Sequence, residues 1–295
     1  MLFLLPGGFY AALGIRWLRL AIQRLWHLNS ASLHAVPPHP INQPNFEYQQ
    51  AFRQEILTPI VTRYFKAELQ GLDNLPPSKP LLITLNHAGM CFPWDFLSLA
   101  WLLSEQRDWI VQPLAHPLFF DHPWLKWWLP DGWAEALGGV RAERQPFEAA
   151  IAERAIVIYA PEGWRGLAKG WPERHQLATF DPSFVRLSLR YQVPVLPVIC
   201  LGSERLHPFA LNVRWLARLV QMPMFPISPL MPLFVLFPSM GVWAARSRLR
   251  YRLQPLWHPW EEAVQELPTT AHRVQYQLAQ VLRSRLQQVL HTLVG

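Results

Sequence analysis

The chain has 295 residues, of which 51% are hydrophobic and only 16% are charged, and its formal net charge is +7. This length allows one large α/β domain or two smaller ones, and two cysteines, Cys91 and Cys200, are too few for a disulfide framework and point to the cytosolic side. A basic chain can bind nucleic acid, but the sequence has no zinc-finger spacing, no basic run and no aromatic RNA-binding motif. Fifteen tryptophans and the excess of basic residues instead suit an anionic membrane surface.

The first 45 residues are predicted to form an amphipathic segment at a membrane interface, ahead of one domain that spans 46–295. Within this segment, a helical pattern with an apolar face contains four candidate anchors: Phe9, Trp17, Leu20 and Trp26. Arg16, Arg19 and Arg24 interrupt the apolar run before the roughly 18 residues that a spanning helix needs. The alternative is an ordinary helix that packs on the domain.

Short apolar strands alternate with helical patterns through the middle of the chain. Strands are predicted at 64–70, 81–85, 108–114, 155–160 and 194–201, and helices at 46–62, 95–105, 117–129, 146–154 and 184–191. This alternation predicts an α/β fold in which helices cover both faces of the sheet. Polar residues at the carboxyl ends of the strands are then expected to form the functional site.

The last third of the chain begins with an apolar stretch. Residues 219–243 contain no charge, but five prolines argue against one regular helix. We expect loops and short helical pieces that cover the functional site or enter the membrane interface, or else a hydrophobic cover buried within the domain. An alternating pattern then predicts an edge strand at 248–256, and apolar residues at helical spacing predict a final helix at 269–293.

One stretch, LLITLNHAGMCFPWD at 81–95, combines a buried strand, a loop and the start of a helix. His87 closely follows the strand, and Asp95 lies in the first turn of the helix, where the helix dipole favours a negative charge. If the loop folds back, Asp95 accepts a hydrogen bond from one ring nitrogen of His87 and leaves the other nitrogen as a base. Such a pair can remove a proton from a hydroxyl group. Cys91, in the same loop, is expected to be a small buried side chain and not a nucleophile.

Four segments in order resemble the sequence blocks of the phospholipid/glycerol acyltransferase family, of the lysophosphatidate acyltransferase type. They are NHAGMCFPWD (86–95), GGVRAER (138–144), YAPEGWRG (159–166) and VPVLPV (193–198). The resemblance implies a single glycerolipid-acyltransferase-like α/β domain, with a mixed, mostly parallel sheet flanked by helices and with peripheral membrane-contact helices. It also implies transfer of a fatty acyl group from acyl-CoA or acyl-carrier protein, as co-substrate, to a hydroxyl of a (lyso)glycerolipid.

The resemblance also implies roles for individual residues. The catalytic pair is His87 with Asp95, and the acceptor-binding set is Arg144, Glu162, Gly163 and Arg165. Arg141 is a competing choice for the arginine of the second block, whereas Lys169 and Arg174 are expected to be solvated charges. No metal and no further cofactor are implied. Membrane lipids are the expected partners, and the expected location is the cytoplasmic face of a membrane, as a peripheral or monotopic protein.

Two departures from the family pattern leave the acceptor open. Seven residues separate His87 from Asp95, where the family usually has four, and Trp164 stands where the third block normally has threonine. Tryptophan has no hydroxyl to offer a phosphate, but it can stack on an apolar acceptor or wall it off. One alternative acceptor is therefore an uncharged alcohol, such as diacylglycerol or an isoprenoid alcohol. An alternative from another class is a non-catalytic membrane lipid-binding protein on the same fold.

Overall fold

The computed structural model describes residues 50–77, 80–89, 92–107, 109–121, 132–219, 224–229, 244–263 and 272–294. The predicted N-terminal segment, most of the charge-free stretch and Cys91 lie outside the described residues, so the predictions made for them stay predictions. Within the described ranges, no helix is both long enough and apolar enough to cross a membrane.

A seven-stranded sheet forms the centre of the domain. The strands of the described ranges are β1 (Glu68–Gln70), β2 (Leu81–Leu85), β3 (Val111–Ala115), β4 (Val140–Arg141), β5 (Ile156–Tyr159), β6 (Val195–Leu201), β7 (Leu211–Asn212), β8 (Pro226–Ile227) and β9 (Arg250–Leu253). The large sheet has the order β1-β9-β6-β2-β5-β3-β4, and β7 and β8 form a separate antiparallel pair. The five strands from β6 to β4 are mutually parallel, whereas β9 is antiparallel to β6 and parallel to β1. The predicted α/β fold with a mixed, mostly parallel sheet is confirmed.

Helices cover both faces of this sheet. The helices of the described ranges are α1 (Trp94–Arg107), α2 (Leu118–Asp121), α3 (Trp133–Ala136), α4 (Arg144–Ala152), α5 (Trp164–Leu167), α6 (Ser183–Tyr191), α7 (Arg214–Leu219), α8 (Pro259–Ala263) and α9 (His272–Val294). Two π-helical segments, Phe52–Leu57 and Ile60–Tyr64, precede β1, and single 3₁₀ turns occupy Leu72–Asn74, Trp171–Glu173 and Ser203–Arg205.

The sequence of β2 shows how the two faces arise. Leu81, Ile83 and Leu85 pack into one apolar core together with α1, whereas Leu82 packs into a second core with α4, α6 and α9. Every residue of β2 and of β6 is buried, as expected for central strands covered on both sides. Because β2 and β6 are adjacent and parallel, the residues that follow them meet at one edge of the sheet.

Two predicted elements differ from the structure. The strand predicted at 64–70 is confined to Glu68–Gln70, because a π-helical segment occupies the first of these residues. The prediction that 248–256 is an edge strand is wrong, since β9 pairs with β6 on one side and with β1 on the other. The alternation arises because Tyr251 and Leu253 face the core and the arginines before them are exposed, a pattern that does not reveal how many neighbours a strand has.

Candidate active site

The loop that carries the candidate base is held at its first residue. Asn86 follows β2 directly, and its side chain forms two hydrogen bonds with the backbone of Cys200 in β6. The Asn86 amide nitrogen donates to the Cys200 carbonyl oxygen at 3.0 Å, and its amide oxygen accepts from the Cys200 N–H at 2.6 Å. Because these bonds fix the end of β2 to β6, His87 leaves the sheet from a defined position.

His87 and Asp95 form a buried pair. Nδ1 of His87 lies 2.7 Å from Oδ2 of Asp95, and the two side chains are 10% and 1% exposed. Oδ1 of Asp95 accepts a hydrogen bond of 3.0 Å from the N–H of Phe96 in the first turn of α1. Among the residues that the structure describes, Nε2 of His87 has no hydrogen-bond partner. The arrangement leaves that nitrogen able to accept a proton.

Two aromatic side chains hold this pair in place. The hydroxyl of Tyr251 donates to the carbonyl oxygen of Asp95 at 2.7 Å, which ties α1 to β9. Burial raises the pKa of the Tyr251 hydroxyl well above its usual range, so the group stays protonated and remains a donor. The ring of Phe96 meets the His87 ring edge to face, with 5.0 Å between the centroids. The imidazole therefore has a defined orientation as well as a defined position.

Glu162 connects the third sequence block to the candidate base. Its Oε1 accepts a hydrogen bond of 3.2 Å from the backbone N–H of His87. Its Oε2 accepts from Nζ of Lys169 at 2.7 Å and from the backbone N–H of Ala178 at 2.5 Å. The prediction that Lys169 is a solvated charge is wrong, because its side chain is only 6% exposed and that of Glu162 is fully buried. A carboxylate this deep in the protein requires such a counter-charge.

Two glycines let the surrounding loops approach the base closely. Gly89 has a φ of +101°, and a side-chain carbon there would lie 2.2 Å from the carbonyl oxygen of Ser203. A side-chain carbon at Gly166 would lie 2.9 Å from the carbonyl oxygen of His87 and 2.8 Å from Cβ of Glu162. The His87 loop thus packs without space for a larger residue at either position.

The predicted acceptor-binding residues differ in their surroundings. Glu162 is buried against the His87 loop, whereas Arg144, Gly163 and Arg165 are exposed. Arg165, on α5, donates to the carbonyl oxygen of Thr179 at 3.2 Å. Arg144 begins α4 just after β4, which is separated from β2 in the sheet by β5 and β3. The structure brings Glu162 to the His87–Asp95 pair and places the two arginines on outer surfaces.

Arg141, the competing arginine of the second block, already has partners. Its guanidinium donates two hydrogen bonds to Asp121, at 2.5 and 3.0 Å, and lies 3.8 Å from a Glu135 oxygen. It also lies over the ring of Phe120, 4.6 Å from the centroid. The hydrogen bond to Asp121 raises the pKa of Arg141. Arg144 makes no ion pair with any described residue, so it is the arginine of this block that is available for an anion.

Comparison with known proteins finds a similarity to one protein family. Residues 66–201 match the family model described as Acyltransferase. This part of the chain is therefore similar to acyltransferase domains. All four sequence blocks lie inside the matched range, and the predicted resemblance is confirmed. The catalytic and binding roles of the individual residues stay predictions.

Similarity to other proteins extends beyond the matched range 66–201. An uncharacterized protein of Mycobacterium tuberculosis strain H37Rv is 29% identical over 268 residues, which are 85% of this chain and 69% of the relative. An uncharacterized protein of Mycobacterium leprae is 28% identical over 271 residues, 85% of this chain and 67% of the relative. Among solved structures, the 1-acyl-sn-glycerophosphate (LPA) acyltransferase PlsC from Thermotoga maritima is similar over 82% of this chain and 81% of that chain, with 13% identity and a TM-score of 0.46.

Sequence reasoning missed several residues that build the candidate site. Asn86 and Gly166 lie inside the recognised blocks, close in sequence to His87 and Glu162, so the sequence could have indicated that they help to build the site. Tyr251 gave no such signal, because only the pairing of β9 with β6 brings it to Asp95.

A further correction concerns a basic residue near the site. Arg174, expected to be solvated, donates to the carbonyl oxygen of Trp171 at 2.8 Å and lies over its ring, 4.5 Å from the centroid. Its contact with the indole was not predictable from residue type or spacing.

Proposed function

We propose that the protein transfers a fatty acyl group from acyl-CoA or acyl-carrier protein to a hydroxyl of a (lyso)glycerolipid. The observation that carries the proposal is the buried His87–Asp95 pair inside the segment that matches the acyltransferase family model. An alcohol is a poor nucleophile until a base removes its proton, and a neutral imidazole suits that task near pH 7. The proposed partners are membrane lipids, and the proposed location is the cytoplasmic face of a membrane.

The proposed reaction uses both ring nitrogens of His87. Nε2 takes the proton of the acceptor hydroxyl while the hydroxyl oxygen attacks the thioester carbonyl carbon. The new C–O bond forms, the C–S bond breaks as the tetrahedral intermediate collapses, and the imidazolium returns the proton to the leaving thiolate. Asp95 holds the Nδ1–H tautomer throughout and stabilises the imidazolium. The 2.7 Å distance between Nδ1 and Oδ2 supports this role for Asp95.

The developing negative charge on the carbonyl oxygen requires hydrogen-bond donors. The backbone N–H groups of Ala88 and Gly89 are our candidates, since neither donates a hydrogen bond to another described residue. They lie one and two residues after His87, in the segment that the contact between Gly89 and Ser203 constrains. Donors held in advance stabilise the intermediate without a reorganisation cost.

The exposed arginines fit an acceptor that carries a phosphate. A guanidinium binds phosphate through two parallel N–H donors, and Arg144 has no competing carboxylate among the described residues. Arg165 and Gly163 lie on the same short segment that Glu162 anchors to the His87 loop. We propose that Glu162 acts by placing this segment, because both of its oxygens are already occupied by internal donors.

One observation favours a second acceptor class. The side chain of Trp164, next to Arg165, is 49% exposed, so an indole surface is offered to solvent where the family normally has threonine. An apolar, uncharged alcohol such as diacylglycerol or an isoprenoid alcohol would bury that surface, whereas a phosphate would gain nothing from it. The two acceptors therefore predict different consequences of removing Arg144.

Acyl transfer by the purified full-length protein in mixed micelles tests the proposal. A labelled acyl thioester is offered with lysophosphatidate, lysophospholipids, diacylglycerol and long-chain alcohols. His87→Ala is expected to lower the rate about 10²–10⁴-fold. His291→Ala, at an exposed histidine, is the matched control. Full activity in a folded His87→Ala variant would refute the assignment of the base, and no product with any donor would favour the non-catalytic lipid-binding alternative.

The same assay separates the acceptor classes. With a phosphorylated acceptor, Arg144→Ala should raise KM about tenfold or more, while the exposed Arg273→Ala should leave KM unchanged. If Arg144→Ala affects diacylglycerol and lysophosphatidate equally, the uncharged alcohol becomes the better assignment.

A further inference from the structure

An apolar patch is exposed on the segment that follows β6. Its members are large hydrophobic side chains between residues 209 and 227, each of them 39% to 71% exposed: Phe209, Leu211, Trp215, Leu219 and Ile227. We call this set the 209–227 patch. A water-exposed surface of this kind is a marker of an interaction site, whereas single exposed apolar residues need no explanation.

Four members of the patch form two neighbouring pairs, which the backbone links. Leu211 in β7 is directly opposite Ile227 in β8, and side chains at opposite positions of an antiparallel pair share one face. Trp215 and Leu219 are four residues apart on α7 and lie on the same side of that helix. The N–H of Val213 donates to the carbonyl oxygen of Phe225 at 3.0 Å, which ties the start of α7 to the strand pair.

Two arginines lie beside the apolar residues of α7. Arg214 and Arg218 are also four residues apart on α7, both are exposed, and neither forms an ion pair with another described residue. Each arginine immediately precedes an apolar member of the patch, Trp215 or Leu219. Tryptophan and arginine side by side suit the boundary between lipid headgroups and acyl chains, where the indole enters the interface and the guanidinium meets anionic headgroups.

The patch adjoins the region of the proposed active site. The ring of Phe209 lies 4.9 Å from that of Trp171, and the Trp171 N–H donates to the carbonyl oxygen of Ala210 at 2.9 Å. Ala210 in turn shares a small cavity of about 10 Å³ with Gly89 of the His87 loop and with Lys169. In sequence, the patch continues into the charge-free stretch 219–243. A lipid surface against the patch would therefore lie next to the loop that carries the base.

We propose that the 209–227 patch, with Arg214 and Arg218, docks the protein on the surface of an anionic lipid bilayer. This proposal assigns the surface through which a lipid acceptor would reach the site. Its relation to catalysis rests on the proposed function. Charge complementarity selects this partner. An anionic lipid surface supplies counter-charges to both guanidinium groups wherever the apolar side chains enter it, whereas a protein partner or a second copy of the chain would need carboxylates at two matched positions.

Vesicle sedimentation with the full-length protein tests the proposal. The probes are vesicles of phosphatidylcholine alone and of an equal mixture of phosphatidylcholine and phosphatidylglycerol. Trp215→Ser/Leu219→Ser should weaken binding to the mixed vesicles about tenfold or more. Tyr276→Ser/Val281→Ser on α9 removes two apolar side chains of 42% and 41% exposure outside the patch and should leave binding unchanged.

The contribution of the two arginines to vesicle binding is measured separately. Arg214→Gln/Arg218→Gln should weaken binding to the mixed vesicles about tenfold and leave binding to pure phosphatidylcholine unchanged, because each arginine attracts only anionic headgroups. Added salt should reduce the difference between the two kinds of vesicle for the unmodified protein.

Three outcomes would overturn the proposal. In the first, the Trp215→Ser/Leu219→Ser variant binds vesicles as well as the unmodified protein does. In the second, the unmodified protein does not bind vesicles. In the third, the Trp215→Ser/Leu219→Ser variant changes its oligomeric state without a change in vesicle binding. The last outcome would assign the patch to a second copy of the chain. His87→Ala should bind vesicles like the unmodified protein, so failure of the acyltransferase mechanism is distinguishable from failure of docking.

Discussion

Removal of the Lys169 charge should destabilise the whole domain through Glu162. In Lys169→Met, a fully buried carboxylate loses the ammonium group that lies 2.7 Å away, while its two backbone donors remain. Breaking a buried ion pair by removing one partner costs about 3–5 kcal/mol, because the other charge is left uncompensated. In a domain of this size, each kcal/mol lowers Tm by about 2–4 °C, so the expected decrease is roughly 6–20 °C.

Urea unfolding followed by tryptophan fluorescence measures this cost, and a second variant isolates its cause. In Glu162→Gln/Lys169→Met neither of these two positions carries a charge, so the double variant should be more stable than Lys169→Met alone. Arg190→Ala, which breaks an exposed pair with Glu148, serves as the control and should cost no more than about 1 kcal/mol. A Lys169→Met variant as stable as that control would show that the buried pair does not hold the site together.

Three further expectations follow from individual contacts. Asp95→Asn should keep the fold but lower kcat about 10³–10⁴-fold, because the amide favours the wrong imidazole tautomer. Circular dichroism checks the fold and steady-state kinetics measures kcat, and a decrease below tenfold would contradict the role of the carboxylate. Gly89→Ala should destabilise the protein by about 2 kcal/mol or more in urea unfolding, because its side chain would meet the carbonyl oxygen of Ser203 at 2.2 Å; an unchanged midpoint would disprove the close approach. In a Cys91→Ser background, Cys200 should react with iodoacetamide only after unfolding, since it is buried and its thiol pKa is raised well above the usual range; rapid labelling of the native protein would refute that burial.

Much of the fold could be predicted because its signals are local. The runs 81–85 and 194–201 carry no charge and are apolar except for Thr84, as expected for strands covered on both sides. The positions of His87 and Asp95 followed from the same local logic, a residue after a strand and a residue in the first turn of a helix. The distance between them confirms that the loop folds back, although the family spacing is not kept.

The parts that could not be predicted depend on contacts between distant residues. Lys169 looks like any other charged residue after a glycine-containing turn, and its burial depends on where the chain places Glu162. The neighbours of β9 could not be inferred either, because alternation records which faces of a strand are buried and not what its edges pair with. Tyr251 reaches Asp95 only as a consequence of that pairing.

The late arrival of β9 during synthesis affects how the protein can fold. Leu201 at the end of β6 pairs with Arg250, so 49 more residues (250 − 201) must be added after Leu201 before its partner has been made. At about 5–20 residues per second, the ribosome needs roughly 2–10 s to add them. During that interval one edge of a seven-residue apolar strand has no partner, and such an edge is a template for association with other chains. A chain shortened to the matched range 66–201 would keep that edge open permanently, so it should aggregate during expression even though it contains all four sequence blocks.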